Sequence, residues 1–290
     1  MAFEVQQRNR HVIQVKLGGR LSSRWEQWVL LRSDAHHDNK LTNHTLEKTH
    51  LEEALARDAI ILDCGDLHCA MNGKWDRRAN PETTARPEYC EGRYLDCLVK
   101  YAEEFYGPYC KNWVLMGHGN HETAILKAHE TDLTLRTVER IRTKHDAPHL
   151  CASGYSGWVV FQTERGISFK VYFHHGSGGG GMMSHGTLDA RRIASYTPDA
   201  DVIWNGHSHD QWILHLARNR ISTRLETYHD SLHVVRTPGY KQEAIYEHWA
   251  VERGHPPKPN GAVWMRLFVA DRPTRKKNSW ILKAEFTPAH

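Results

Sequence analysis

Five short runs of metal-ligating residue types constrain this chain more than any other feature. They read Ser33-Asp34-Ala35-His36, Gly65-Asp66, Gly119-Asn120-His121-Glu122, His174-His175-Gly176 and Gly206-His207-Ser208-His209. Each lies at the end of a β-like run. A binuclear metal centre needs about seven nitrogen and oxygen ligands converging on two ions. No single helix or hairpin supplies that many, so the fold must bring several strand ends to one place. In open α/β sheets that place is the crevice outside the carboxyl ends of the strands.

The segments Trp25 to Arg32, Ala59 to Asp63 and Asn112 to Met116 are short, apolar and bounded by polar or glycine residues. That pattern predicts buried parallel strands. Helical periodicity runs over Leu46 to Ala56, Tyr94 to Phe105 and Thr123 to Lys144, giving the strand–helix alternation of an α/β sheet. The second half reads mostly as strands: Gly157 to Thr163, Ile167 to His174, Asp201 to Trp204, Gln211 to Ala217, Leu232 to Arg236, Val263 to Ala270 and Ser279 to Phe286. A helix is expected near Leu188 to Tyr196. The expected fold class is therefore α/β, with two mixed β-sheets packed as a sandwich and helices outside. No composition break marks a linker, so 1–290 is read as one domain, with the metal-binding runs inside 30–210 and a β-rich part over 211–290.

At 290 residues and 40% hydrophobic content, a sizeable core is feasible. The excess of 38 basic over 34 acidic residues is mild. It permits a phosphate-bearing substrate without demanding nucleic acid. The six cysteines show no CxxC spacing, which argues against a zinc ribbon or a thioredoxin-type pair. The first residues carry no apolar signal segment, and no run reaches the ~18 apolar residues of a membrane span. The expectation is a soluble cytoplasmic protein with no membrane partner and an undetermined oligomeric state.

Each run has a plain structural alternative. Asp34 could cap a helix, and Gly65-Asp66 and Gly119-Asn120 are common turn pairs. Most of the 22 histidines are expected to be surface or packing residues. Five runs in this order, each at a strand end, outweigh those readings together. Oxygen and imidazole donors without thiolates suit divalent manganese, iron or zinc.

The runs resemble those of the calcineurin-like metallophosphoesterases, whose pattern is DxH, GD, GNH[D/E], H and GHxH. The resemblance covers roughly residues 30 to 210 and implies a two-sheet sandwich holding two metal ions. By matching position, it implies Asp34, His36 and His209 at one ion, Asn120, His175 and His207 at the other, and Asp66 bridging them. Manganese leads the implied metals, with iron, zinc, nickel, cobalt or magnesium as alternatives. His121 is implied as the catalytic histidine that protonates the leaving oxygen or steadies the transferring phosphate. Adjacent strand residues point oppositely, so one of His174 and His175 is expected to bind, and the resemblance implies His175, the histidine immediately before glycine.

The chain also departs from the pattern. Many members carry an acidic or histidine residue three positions after the GD aspartate, where this chain has Cys69, and the arginine that phosphatase members place just beyond is missing. His68 and Asp76 are candidate orienting partners for His121. His68, Arg77, Arg78, Gly178 and Gly179 are candidate substrate contacts, the glycines belonging to a Gly176–Gly181 run that permits close backbone approach. The stretch 65–78, the glycine run and the Thr237-Pro238-Gly239-Tyr240 segment look like a subgroup of these enzymes found in phage and prophage genomes. Trp75, Trp212 and Tyr240 are candidates to stack a base. The expected activity is metal-dependent phosphoester hydrolysis, with a DNA or nucleotide diester as substrate. The alternatives are a phosphomonoesterase, including a protein phosphatase, and a non-catalytic metal-bound scaffold.

Overall fold

The computed structural model describes residues 3–72, 86–89, 93–178, 187–223, 225–242, 254, 256–271 and 280–289. Two mixed sheets face one another. One has the order β13-β12-β3-β4-β5-β6, with β3 Glu26–Arg32, β4 Ile60–Asp63, β5 Trp113–Met116, β6 Cys151–Ala152, β12 Ala262–Asp271 and β13 Trp280–Ala289. The other has the order β1-β2-β7-β8-β9-β11-β10, with β1 Phe3–Asn9, β2 Val12–Leu17, β7 Ser156–Thr163, β8 Ser168–His174, β9 Val202–Asn205, β10 Trp212–Ile221 and β11 Thr227–Arg236.

Alternation along the strands builds the layers. Val29 and Leu31 of β3, Ile60 and Leu62 of β4 and Val114 of β5 face the inter-sheet core, where they meet Val15, Phe161, Val171 and Trp204. The residues between them, Leu30, Ile61 and Trp113, point outward to Leu51 of α1 (His44–Ala56), Ala102 of α2 (Tyr94–Tyr106) and Val138 of α4 (Leu133–His145). Burial on both faces explains why these strands read as unbroken apolar runs. On the far side, Ala190 and Ile193 of α5 (Thr187–Tyr196) cover Ile203 and Val234. The result is the expected sandwich of two mixed sheets with flanking helices. No helix among the described residues is long and apolar enough to cross a membrane.

The strands β3, β4, β5 and β6 run parallel, as do β8, β9 and β11. Their carboxyl ends therefore open toward common ground. A buried polar network fixes two of these ends. Arg32, the last residue of β3, donates to Asp63 at the end of β4 (2.8 Å) and to Glu47 of α1 (2.6 Å). Its guanidinium also sits 4.8 Å from the Trp113 ring. Burial opposes the Glu47 charge, but the Arg32 cation together with His37 and His44 overcomes it and brings that carboxyl down to about 2. Asp63 also accepts from the Gly65 amide at 2.9 Å, tying the network to the loop that follows.

Three segments differ from expectation. The helix read over Thr123 to Lys144 is two helices, α3 Asn120–His129 and α4. Glu130 turns left-handed at φ 52° after α3. Asp132 then caps the new helix by accepting from the Leu135 amide at 2.9 Å. The β1–β2 hairpin was not anticipated, although β2 alternates buried and half-buried residues. The hairpin β10–β11 is longer than the two expected runs, extending to Ile221 and back from Thr227.

Candidate metal centre

Each expected ligand leaves a strand end. Asp34 and His36 follow β3, Asp66 follows β4, Asn120 and His121 open α3 after β5, His175 follows β8, and His207 and His209 follow β9. Backbone bonds stitch these loops together. The Asp34 amide donates to Gly65 O at 2.9 Å, the His36 amide to Asp66 O at 2.9 Å, and the His37 amide to Leu67 O at 2.8 Å. The His207 amide donates to Asp34 Oδ2 at 2.9 Å, joining the two sheets at the site.

The side chains gather in two adjoining clusters. Asp34, His36 and His209 form one, and Asp66, His175 and His207 form the other. In the first, His36 Nε2 and His209 Nε2 stand 3.2 Å apart, and His209 Nε2 is 3.5 Å from Asp34 Oδ1. In the second, His175 Nε2 lies 3.2 Å from Asp66 Oδ2 and 3.2 Å from Asn120 Oδ1, while His207 Nδ1 is 2.7 Å from the same Asn120 oxygen. His175 Nε2 is also 3.8 Å from Asp34 Oδ1, so the clusters abut. His174 does not join them. Its Nδ1 accepts from the Gly176 amide, and its carbonyl accepts from Asn205.

The donor set fits divalent cations. Donors about 2.1 Å from one ion stand roughly 3 Å or a little more from each other, which is the spacing of these nitrogens and oxygens. Asp34 Oδ1 is buried with no hydrogen-bond partner, as an oxygen kept for an ion would be. Burial pushes the Asp34 and Asp66 carboxyls up, but His175 together with His209 beside Asp34, and with His121 and His36 beside Asp66, holds both well below the usual range. Burial likewise opposes charge on His175, and Asp66 and Asp34 overcome it, raising that imidazole well above its ordinary value. Two buried carboxylates ringed by imidazoles favour positive charge in this cavity.

Five of these residues carry left-handed backbone: Asp34 (φ 53°), His36 (46°), Asp66 (55°), His207 (73°) and His209 (55°). Such positions cost about 1–3 kcal/mol each and persist where surrounding structure over-determines them, often at functional sites. Close packing supplies some of that restraint. A methyl group on Gly119 would collide with the Asp66 carboxylate and amide. Gly119→Ala is therefore expected to destabilise the chain by about 1–3 kcal/mol, read from the midpoint of urea unfolding. An unchanged midpoint would mean the two loops are not in contact.

His121 lies at the edge of this cavity. Its ring meets that of His36 edge-on at 4.8 Å, and its amide donates to Asp66 Oδ1 at 2.9 Å. Its Nδ1 donates to the backbone carbonyl of Cys69. That bond leaves Nε2 on the Asp66 side, 3.8 Å from Oδ2. The group that holds the His121 ring is thus the main chain of Cys69. His68 does not serve as the partner or as a substrate contact. It is fully buried, with Nε2 against the Thr137 hydroxyl at 3.1 Å, and burial takes it down to about 4.

Asp76, Arg77, Arg78, Gly179 and Trp75 lie outside the described residues. Gly178 is exposed in the loop after His175, with open space around it. Tyr240 cannot stack a base, because it is fully buried beside Arg32 and His50. Trp212 is half-buried under the guanidinium of Arg236.

Several residues were missed in the sequence. Glu122 accepts from the amides of Asp66 (3.0 Å), His68 (2.9 Å) and Gly119 (2.8 Å), locking two ligand loops. Burial and the Asp66 charge push its carboxyl up to about 8. Asp38 accepts from the Cys69 and Ala70 amides and from the Tyr94 hydroxyl. The Cys69 thiol stands with His36 and His121, so a sulfur borders a site read as free of thiols. The legible signals were charges inside apolar runs: Arg32 after WVLL, and Asp63 after IIL.

No protein-family model matches this chain, and no curated protein does. Two solved structures are similar to it. One is a conserved uncharacterized protein of Streptococcus pneumoniae TIGR4, described as a predicted phosphoesterase. It is 9% identical over 91% of this chain and 99% of its own, with a TM-score of 0.35. The other is Chaetomium thermophilum Vps29, 9% identical over 91% of this chain and 98% of its own, with a TM-score of 0.36.

Proposed function

We propose that this chain is a phosphoesterase dependent on two divalent metal ions, of the calcineurin-like kind, and that it hydrolyses phosphodiesters of DNA or nucleotides. One observation carries the reading: seven side chains from five strand ends form two abutting clusters of carboxylate, amide and imidazole donors. Asp34, His36 and His209 would hold one ion, Asn120, His175 and His207 the other, with Asp66 between them. Bound ions of this kind supply Lewis acidity toward a phosphate oxygen and bring the pKa of coordinated water toward neutrality.

The chain's own groups do the rest. His121, fixed through Nδ1 by the Cys69 carbonyl, presents Nε2 to the cavity as the proton donor for the leaving oxygen. Glu122 and the Arg32–Asp63 pair keep the loops from spreading, so little reorganisation is needed during reaction. The preference for diesters rests on charge. A monoester dianion calls for an extra cationic clamp, and the arginine that phosphatase members place just beyond the position of Cys69 is missing here. The DNA or nucleotide substrate rests on the looser likeness to phage-type members.

The test is turnover of bis-p-nitrophenyl phosphate against p-nitrophenyl phosphate with Mn2+, followed by single-stranded DNA, duplex DNA, RNA and cyclic nucleotides. Faster diester turnover, abolished by a chelator, is expected. Turnover of the monoester alone replaces this reading with a phosphatase. Metal uptake without turnover of any substrate replaces it with a metal-bound scaffold.

A further inference from the structure

His207 and His209 belong to different clusters, yet only Ser208 separates them. Both are left-handed, at φ 73° and 55°. A turn in that conformation relaxes unless its surroundings hold it. Asp34 holds the His207 amide from inside the ligand set, and a second restraint comes from outside it. Arg236, the last residue of β11, donates from Nη1 to Ser208 Oγ at 2.6 Å. Ser208 Oγ donates in turn to Asp210 Oδ2 at 3.0 Å. Lys258 Nζ donates to Asp210 Oδ1 at 2.5 Å. The hydroxyl thus accepts one bond and gives one, and Asp210 takes a donor on each oxygen. Arg236 is itself 3% exposed and lies 5.1 Å from the Trp212 ring, so its guanidinium is fixed rather than solvated.

We propose that Arg236 is a positioning residue that sets the His207–His209 turn through Ser208, and so fixes the spacing of the two metal clusters. The proposal rests on the metal-centre reading above. The same chain of bonds pairs Asp210, the residue after His209, with Ser208 and Lys258. Groups that orient metal ligands in this way typically contribute about 10–100-fold in metal affinity. Because Ser208 sits between the clusters, releasing it loosens both ligands together.

Calorimetric Mn2+ titration of the full chain tests this, with thermal unfolding in chelator recorded separately for each variant. The wild type is expected to bind two ions. Arg236→Met and Ser208→Ala are each expected to bind both ions more weakly, by about 10–100-fold, and Arg236→Lys to recover part of the loss. Ser208→Ala keeps the buried cation and decides the matter if Arg236→Met does not fold. Unchanged affinity in Ser208→Ala overturns the proposal, whatever happens to the unfolding temperature. A wild type that takes up no Mn2+ overturns the metal-centre reading itself, which is a separate result.

Discussion

Asp66→Ala is expected to abolish turnover and to empty both metal positions at once. Asp66 is the proposed bridging carboxylate and stands in the cluster with His175 and His207. Its Oδ2 lies 3.2 Å from His175 and 3.8 Å from His121, and its Oδ1 accepts the His121 amide at 2.9 Å. Removing it leaves His175 without its nearest counter-charge and unties the start of α3 from the β4 loop. It also removes the oxygen that a second ion would share with the first. Metal analysis of the purified variant checks this directly. Full occupancy of both positions would refute a bridging role. Loss of one ion with retention of the other would assign Asp66 to a single cluster.

His121→Ala is expected to behave in the opposite way, keeping its metal and losing its rate. A positioned acid or base contributes about 10²–10⁴-fold, and kcat should fall by that amount with metal content unchanged. His121 stands beside His36 and Asp66 and is anchored differently from the proposed ligands. Its Nδ1 is occupied by the Cys69 carbonyl, and its Nε2 is 3.8 Å from Asp66 Oδ2. His175, by contrast, reaches Asp66, Asn120 and Asp34 with one nitrogen. A substrate whose leaving group needs no proton, such as p-nitrophenolate, should lose less rate in the variant than an alkyl ester. Metal-free His121→Ala protein would make His121 a ligand instead.

Much of this site was legible because its side chains sit within a few residues of strand ends, and strand ends are marked by apolar runs that stop. Such boundaries draw attention to Asp34, Asp66, Asn120 and the histidines after β8 and β9, and the family resemblance supplies their implied roles. The choice of His175 over His174 rests on the resemblance, which places the ligand just before glycine, and the structure sets His175 beside Asp66 while His174 accepts from the Gly176 amide. What was hidden depends on groups distant in sequence. Nothing near Cys69 signals that its carbonyl, rather than a side chain, would hold His121. Nothing near Arg236 signals that it reaches Ser208, 28 residues earlier.

The fold shows the same division. β3, β4 and β5 are buried on both faces, so hydrophobicity revealed them. The outer halves of β10 and β11 are held by cross-strand pairing such as Arg218 with Asp230, at 2.8 Å, and carry no apolar pattern to read. The break between α3 and α4 comes from the left-handed Glu130 and the cap at Asp132, and neither interrupts the helical period enough to show.

The most direct test of the central claim is anomalous diffraction from crystals grown with Mn2+. Two peaks are expected, one among Asp34, His36 and His209 and one among Asn120, His175 and His207, with Asp66 reaching both. A single peak, or peaks remote from these side chains, would contradict the two-ion centre on which the proposed activity depends.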